Sequence, residues 1–241
     1  MVRIGTAGWA IPRAVAPEFP ADGTGLERYA ARFDAAEINS SFYRPHRRAT
    51  YERWAASVPP AFRFAVKLPK AITHEARLVG SDAILERFAE EVAGLGDRRG
   101  PTLVQLAPSL EFDPAIAQAF FAKLGACVGG QVACEPRHPS WFEPEAEALL
   151  REHRVARVAA DPARVPAAAM PGGWPGLAYF RLHGSPRMYW SSYEPEALAD
   201  WARRVEQADS PERWMIFDNT TSGSAAANAL AFATCSPRPP R

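Results

Sequence analysis

Residues 131–141 read QVACEPRHPSW, a short apolar run that ends in a carboxylate, a guanidinium and an imidazole. Residues two apart share one face of a β-strand, so Glu135 and Arg137 are expected to project from the same side where the strand ends. Pro139 restrains His138 to an extended conformation, which stops the strand and turns His138 along the loop. The stretch therefore predicts a buried strand whose downstream end carries charged groups.

The same pattern of a short β-favouring run followed by a polar or glycine-containing loop recurs along the chain. The predicted strands lie at residues 2–6, 35–39, 62–67, 102–106, 131–135, 155–160, 177–183 and 213–217. Apolar residues spaced three and four apart predict helices between most of them. These helices lie around residues 26–33, 47–57, 84–92, 116–124, 143–153, 195–208 and 224–234. The alternation predicts an α/β fold, a single TIM-type (β/α)8 barrel, ahead of an open doubly wound sheet.

The segment between the sixth and seventh predicted strands departs from this alternation. Residues 161–176, DPARVPAAAMPGGWPG, hold four prolines and a pair of glycines, so the sixth βα connection is predicted to be irregular. No linker of flexible composition divides the chain, and residues 1–235 are predicted to form one barrel domain. The proline-rich residues 236–241 are predicted to be a flexible tail.

The bulk composition is that of an ordinary soluble globular protein, with 47% apolar and 23% charged residues. A formal net charge of +1 gives no general attraction to nucleic acid or membrane, so any preference for anions must be local. The three cysteines have no CxxC spacing and cannot all pair, which argues against a disulfide framework or a structural zinc site. No apolar run is long enough to span a bilayer. We expect a cytoplasmic protein, and the sequence does not indicate its oligomeric state.

Polar side chains occupy alternate positions, and therefore one face, at the downstream ends of the predicted strands. They are Glu37 with Asn39, Lys67, Gln105, Glu135 with Arg137, and Arg181 with His183, and the set is extended by Asp161 and by Asp218 with Asn219. A simple ion pair would explain any one of these charges, but coincidence does not explain their repetition over many strands. A (β/α)8 barrel places such positions around its C-terminal mouth, so these side chains are predicted to share one pocket there.

Seven motifs cover nearly the whole chain: IGTAGW, AAEINSSFY, FRFAVKLPKAITH, LVQLAPS, CEPRHPSW, YFRLHGSPRMYWSSY and FDNTTSGSAAANA. In order and spacing they resemble the YecE-like family, domain of unknown function 72. The resemblance implies a barrel related to the TIM type, and it brings no established reaction. Its characteristic polar residues fall on Glu37, Asn39, Lys67, His74, Gln105, Glu135, Arg137, His138, Asp161, Arg181, His183, Tyr189, Tyr193, Asn219 and Asn228. Two departures, Ala7 in place of a serine and Asp218 in place of an asparagine, imply that these residues are dispensable.

The first functional hypothesis is an enzyme of hydrolase, isomerase or lyase type that performs acid/base chemistry on a small anionic substrate. Its catalytic candidates are Glu37, Glu135, His183 and Lys67. Cations hold a neighbouring carboxylate ionised while burial alone raises its pKa, so this mixture can supply one base and one acid at neutral pH. The arginines of the second loop, at positions 44, 47 and 48, would make the opening positive and suit a phosphate or carboxylate, although a solvated helix start explains them equally well.

The predicted substrate-binding residues are Trp9, Asn39, His74, Gln105, Arg137, His138, Asp161, Arg181, Tyr189, Tyr193 and Asn219. Trp9 is included because the glycines around it, in GTAGW, let backbone approach a ligand closely. Its aromatic ring is therefore expected to face the ligand.

Two alternative functions use the same residues. A metal-assisted phosphoesterase would place Zn or Mn on Glu37, Glu135, Asp161 and His183. The absence of an HExxH or HxH cluster and the nearby cations argue against it, so no cofactor is expected. A non-catalytic protein would bind nucleic acid or another ligand through aromatic residues and loop arginines, but a nearly neutral chain is a poor match for tight polymer binding.

Overall fold

The computed structural model describes residues 2–235, which form an α/β fold built on two sheets of mostly parallel strands. The strands are β1 Val2–Thr6, β2 Ala35–Ile38, β3 Arg63–Lys67, β4 Arg99–Gln105, β5 Val132–Glu135, β6 Val155–Arg157, β7 Ala159–Asp161, β8 Gly172–Gly173, β9 Leu177–Leu182 and β10 Glu212–Phe217. The helices are α1 Gly25–Ala30, α2 Arg48–Ala56, α3 Asp82–Val92, α4 Pro114–Cys127, α5 Pro144–Glu152, α6 Pro195–Gln207 and α7 Ser224–Cys235. The predicted tail, residues 236–241, lies outside the described residues.

The larger sheet follows the chain order from β2 to β6, all parallel, and β8 adds antiparallel to β6. The smaller sheet is parallel throughout, in the order β1-β10-β9-β7. The sheets meet at two places. A parallel bridge joins Ala7, after β1, to Glu37 of β2. Between β6 and β7 there is only Val158, so this stretch pairs first with β5 and then with β9.

All seven predicted helices are present, within a few residues of their predicted bounds. A capping box starts α1: the Thr24 side chain accepts a hydrogen bond from the Glu27 amide, and the Glu27 carboxylate accepts one from the Thr24 amide. The Asp113 side chain caps α4 through the amide of Ile116. Proline occupies the first turn of α4, α5 and α6, where an amide has no helical partner. Within residues 2–235, no helix has the length and apolar character needed to cross a membrane.

The connection between β7 and β9 has no α-helix, as its prolines and glycines predict. It consists of a 3-10 turn, Pro166–Ala169, and the two residues of β8. Gly173 has a φ of +64°, and a Cβ there would collide with the carbonyl oxygen of Val155, so only glycine allows β8 to approach β6 this closely. The predicted sixth strand, residues 155–160, is broken at Val158, where its pairing changes from β5 to β9.

The outward faces of the strands pack against the helices in the larger apolar core. Ile38, Phe64, Val66, Phe180 and Leu182 all belong to this core and are buried. Their parity is opposite to that of the charged candidates, as the sequence predicts. The strand period thus separates the outer core from the polar site.

A second, smaller apolar core lies on the opposite faces of the strands. Alanines supply it on four of the strands of the larger sheet, at positions 35, 65, 133 and 156. These small side chains leave room for Tyr179 and Trp214, whose rings stack with centroids 5.8 Å apart. Two positions downstream of this layer on β2, β3, β5 and β9 stand Glu37, Lys67, Glu135 and Arg181. The inner core therefore forms an apolar floor beneath the polar groups.

Candidate active site

Arg181, near the end of β9, is completely buried and binds three carboxylates, two from other strands and one from the residue that follows β10. Its Nε and Nη2 donate to the two carboxylate oxygens of Glu37, at 2.9 and 2.6 Å. Nη1 donates to Glu135 at 2.7 Å, and Nη2 also donates to Asp218 at 3.0 Å. Burial lowers the pKa of Arg181, but the three carboxylates outweigh it and raise the pKa well above its usual range. Arg181 is therefore a permanent cation at the centre of the site.

His183 lies between two carboxylates. Its Nδ1 is 2.9 Å from Asp218 and its Nε2 is 3.0 Å from Glu135. A neutral imidazole can donate from only one nitrogen, so the imidazolium form satisfies both contacts. Burial lowers the pKa of His183, but the charge of Glu135 and the two hydrogen bonds raise it overall. Both contacts and the raised pKa favour the imidazolium form of His183.

Glu135 is held as an anion by donors on every side. Its Oε1 accepts hydrogen bonds from Gln105 at 3.0 Å, from Arg137 at 3.0 and 3.2 Å, and from His183. Burial raises its pKa, but Arg181, His183 and Arg137 together hold the pKa well below the usual range of a glutamate. The sequence hypothesis that burial could make one carboxyl group an acid therefore does not hold for Glu135.

The other two carboxylates complete the cluster. Glu37 is fully buried and accepts a further hydrogen bond, 3.0 Å, from the Tyr179 hydroxyl of the apolar floor. Burial and the charge of Glu37 raise the pKa of Tyr179 well above its ordinary value, which keeps the phenol protonated. Burial raises the pKa of Asp218, but Arg181 and His183 lower it overall. Three carboxylates thus face three cations, Arg181, Arg137 and His183.

Lys67, the last residue of β3, has no anionic partner of its own. Its side chain is buried, with the whole residue 5% exposed, and its Nζ lies 4.0 Å from the centroid of the Phe42 ring. No residue between 2 and 235 makes a hydrogen bond or ion pair with this Nζ. Burial and then the charge of Arg181 lower the pKa of Lys67 to about 8, against the opposing influence of the three carboxylates. Lys67 can therefore gain or lose a proton near neutral pH.

Two more nitrogen-bearing side chains, His74 and Arg137, lie on the same side of the site. His74 contacts the Phe42 ring edge-on, with centroids 5.0 Å apart. Burial, followed by the charges of Lys67 and Arg137, lowers its pKa. Arg137 donates through Nη2 to the Tyr189 hydroxyl at 3.1 Å, but within the described residues its Nη1 contacts only the sulfur of Met188, at 3.9 Å. This guanidinium therefore retains a donor for an oxygen-bearing ligand.

Residues 184–193 cover the site. Tyr189 packs edge-on against His183, with ring centroids 5.4 Å apart. The Tyr193 hydroxyl donates to Asp161 at 2.7 Å and accepts from the amide of Gly184 at 2.9 Å, which fastens both ends of the cover. Beside Met188, a narrow cleft of ≈ 10 Å³, about the space of one water molecule, reaches down to the charged cluster. It is lined by Glu135, Pro136, Arg137, Ala160, Pro162, Arg164, Ala168, His183 and Met188.

Asparagines anchor this cover to the body of the protein. The Asn219 amide donates to the carbonyl of Ser191 at 2.9 Å and to the side-chain oxygen of Asn228 at 2.8 Å. Asn228, on α7, accepts from the amide of Tyr193 at 3.1 Å and donates to its carbonyl at 3.0 Å. Asn219 and Tyr193, both predicted as substrate-binding, thus hold the cover over the site.

Three predicted ligand residues lie away from the charged cluster. The second strand ends at Ile38, and Asn39 has helical backbone angles as the N-cap of a 3-10 turn, so it does not share the face of Glu37. Trp9 packs edge-on against Trp54 and the outward-facing Phe64, with centroids 5.1 and 6.0 Å away. Asn39 and Trp9 instead line a separate, open cleft.

His138 is the third. Its Nδ1 is 2.8 Å from the Ser140 hydroxyl and accepts a hydrogen bond from the Ser140 amide at 3.3 Å. It therefore caps the 3-10 turn Pro139–Phe142. The strand parity of Glu135 does not extend to this residue because the strand has already ended.

Two members of the site were not assigned as catalytic or substrate-binding from the sequence. The strand period placed Asp218 in the shared pocket, but the family resemblance implied that it is dispensable, and it binds both Arg181 and His183. Its side chain shares the parity of Trp214 and Ile216, which belong to the inner core. Phe42, which lies over Lys67, follows a turn rather than a strand, and no periodic signal identifies it.

The family sequence model described as "Protein of unknown function DUF72" matches residues 3–238. The UPF0759 protein YecE of Escherichia coli is 30% identical over 143 residues, which are 59% of this chain and 50% of that protein. The chain thus spans about half the length of this relative. A crystal structure of a DUF72 family protein from Enterococcus faecalis superimposes with a TM-score of 0.82 at 22% identity and covers 98% of this chain and 95% of the other.

A second crystal structure, of a DUF72 family protein from Thermotoga maritima, gives a TM-score of 0.79 at 26% identity and covers 97% of this chain and 98% of the other. Both structural matches extend over nearly the full length of each chain. The family match covers almost all of the residues that build the charged cluster and its cover. This chain therefore belongs to the DUF72 family of proteins of unknown function.

Proposed function

We propose that this protein is an enzyme that performs acid/base chemistry on a small phosphate- or carboxylate-bearing substrate. One observation carries the proposal: the amine of Lys67 is buried beside three carboxylates that are already bound by other cations. A cation that served only the stability of the cluster would pair with one of these carboxylates. Lys67 instead keeps a proton that it can exchange, with a pKa lowered by burial and by Arg181 to about 8.

The proposed roles divide between fixed and exchangeable charges. Arg137 holds the anionic group of the substrate with its Nη1, whose only contact among residues 2–235 is the Met188 sulfur. His183 donates a proton from its imidazolium, and Lys67 in its neutral form removes one. Glu37 and Glu135 keep the surrounding cations in place and tune their pKa values.

We further propose that the two sheets close into one eight-stranded (β/α)8 barrel with the cluster at its C-terminal mouth. At one seam, the amide of Gly8 donates to the carbonyl of Glu37 at 2.7 Å. A Cβ at Gly5 would collide with the backbone of Ala35, so β1 and β2 approach closely there. At the other seam, residues 155–161 run from one sheet into the other.

The metal-assisted alternative has less support. Both oxygens of Glu37 and of Glu135 accept hydrogen bonds from Arg181 or its neighbours, so a metal ion would have to displace a guanidinium. Among residues 2–235, no group of three or more His, Cys, Asp or Glu side chains is arranged to hold a metal ion. Nucleic-acid binding and a cytoplasmic location remain predictions from sequence.

The proposal is tested by incubating the protein in D2O with small phosphate- and carboxylate-bearing hydroxy and oxo compounds. Proton NMR would report conversion and the exchange of C–H protons. Wild-type protein is expected to act on at least one compound, and Lys67→Met to lower the rate about 100-fold or more. Lys70→Met is the matched control, because Lys70 is an exposed partner of Glu75. Absence of conversion and exchange with every compound, or full activity of Lys67→Met, would refute the proposal.

A further inference from the structure

We infer that Lys67 is a nucleophile that forms an imine with the carbonyl group of a small anionic ketone or aldehyde. The inference rests on the proposed function and names the substrate class of that same site. It stands on three observations: the chemical identity of this residue among the basic residues of the chain, its lack of an ion-pair partner within residues 2–235, and a guanidinium donor of Arg137 whose only contact in that range is the Met188 sulfur. Lys67 and Arg137 both lie close enough to His74 to lower its pKa.

Lysine is rare in this chain, which makes its position in the site informative. Of the 28 basic residues, only three are lysines, at positions 67, 70 and 123. Lys70 pairs with Glu75 at 2.9 Å and Lys123 pairs with Glu86 at 3.3 Å, and both side chains are substantially exposed. Arginine serves the positions of fixed charge in the site, and it cannot lose its proton. The buried lysine is thus the one basic side chain of the cluster that can act as an amine nucleophile.

The backbone holds Lys67 firmly while leaving its amine free. The Ser41 hydroxyl donates to the Lys67 carbonyl at 2.6 Å, and β3 pairs Lys67 with Leu103 of β4. The Phe42 ring covers one side of the amine. A rigid stem with an unpaired, partly aromatic-lined amine is the arrangement that imine formation requires, because the neutral amine then attacks without first breaking an ion pair.

The groups facing Lys67 come from every neighbouring element. Glu37 of β2, Glu135 of β5 and Asp218 after β10 favour its protonated form, while Arg181 of β9 disfavours it. His74 also lies close enough for its own pKa to be lowered by the charge of Lys67. The three carboxylates retain Arg181, Arg137 and His183 as partners when Lys67 becomes neutral. Neutral Lys67 therefore leaves no carboxylate unpaired.

The chemical step balances without any further reagent. The amine lone pair attacks the carbonyl carbon, a C–N bond forms, and one N–H proton passes to the oxygen to give a carbinolamine. The hydroxyl then takes a second proton from solvent and leaves as water, so that a protonated imine remains. This imine draws electrons from the neighbouring C–H bond, which makes that proton removable by a second base, because the Lys67 nitrogen is then bonded to the substrate. The anionic group of the same substrate is held by Arg137.

Borohydride trapping tests the inference. Hydride adds to the imine carbon and fixes the substrate to the lysine as a secondary amine, which peptide mass spectrometry locates among the three lysines. The probes are pyruvate and dihydroxyacetone phosphate, and acetone is the uncharged control. We expect both anionic probes to label Lys67 in the wild-type protein about tenfold or more above Lys70 and Lys123, because a pKa near 8 leaves a far larger neutral fraction than an ordinary lysine has.

Two variants sharpen the result. Lys67→Arg keeps the positive charge and removes the nucleophile, so trapping at this position is expected to disappear, whereas Lys70→Arg is expected to trap as the wild type does. If the first variant does not fold, the wild-type peptide map decides alone. Equal labelling of all three lysines overturns the inference, and equal trapping of acetone overturns the anionic substrate class. Proton exchange in D2O without a Lys67 adduct overturns the imine but leaves the proposed acid/base function; loss of both overturns both.

Discussion

Replacing Lys67 with methionine is expected to stabilise the folded protein at neutral pH, although it removes a residue of the proposed active site. Burial and Arg181 lower the pKa of Lys67 from 10.5 to about 8. The folded state thus disfavours the charged amine by about 3 kcal/mol, at about 1.4 kcal/mol per tenfold change in affinity for the proton. Methionine has a similar length and no charge, so it avoids this cost, while loss of the contact with Phe42 offsets part of the gain. The expected net stabilisation is about 1–3 kcal/mol.

The sign of the pH dependence follows from the lowered pKa. Below pH 8 the amine is protonated in both the folded and the unfolded states, so the full cost is present. Between pH 8 and 10.5 the unfolded state binds more protons than the folded state, and the stability of the wild type therefore rises relative to the variant. The advantage of Lys67→Met is expected to shrink over this interval and to vanish near its upper end.

Urea unfolding of both proteins from pH 6 to 10.5 measures this difference directly. Lys70→Met serves as the matched control, because that exposed ion pair with Glu75 is expected to contribute less than about 1 kcal/mol. If Lys67→Met proved less stable than the wild type at pH 7 by a similar margin, Lys67 would be an ion-pair partner of the carboxylates. Lys67 would then not be an amine that exchanges its proton near neutral pH.

Three further outcomes follow from the same contacts. With ¹³C-labelled lysine, the Cε resonance of Lys67 is expected to titrate with a midpoint of about 8; a midpoint above 10 would contradict the description of the site. Asp218→Asn removes one of the two carboxylates that raise the pKa of His183, so NMR titration of the imidazole should show a lower pKa, and an unchanged value would contradict the contact. Arg181→Met leaves the buried carboxylate of Glu37 without a cationic partner and is expected to cost about 3–5 kcal/mol in urea unfolding, whereas the same change at exposed Arg203 should cost less than about 1 kcal/mol.

The strand period explains what could be predicted from the sequence. Side chains two apart share a face, so the positions of Glu37, Glu135, Arg181 and His183 followed once the strands were found, and direct hydrogen bonds connect these side chains. The irregular sixth connection followed from its prolines and glycines. These predictions rest on local rules that hold wherever the chain is extended or turns sharply.

The predicted ligand residues that lie away from the charged cluster follow the ends of strands. Asn39 and His138 occupy the N-cap positions of short 3-10 turns, and a turn redirects the side chain by an angle that the strand period does not supply. Trp9 was assigned to the ligand from the flexibility of its neighbours, but its orientation depends on Trp54 and Phe64, which are distant in sequence. Asp218 was left out of the predicted catalytic and substrate-binding residues for a different reason. The strand period placed its side chain in the pocket, but the family pattern was given more weight.

Arginine and lysine behave differently in this site because the site excludes water. The apolar floor, with Tyr179 and Trp214, and the cover, with Tyr189, both remove solvent from the charged cluster. Removing water penalises every charge in the cluster, so each ion there persists only through its partners. The carboxylates keep their charge because arginine cannot release its proton to them. Lys67 lacks such a partner, so the same dehydration acts on it unopposed by any hydrogen-bonded anion and, with the charge of Arg181, lowers its pKa to about 8.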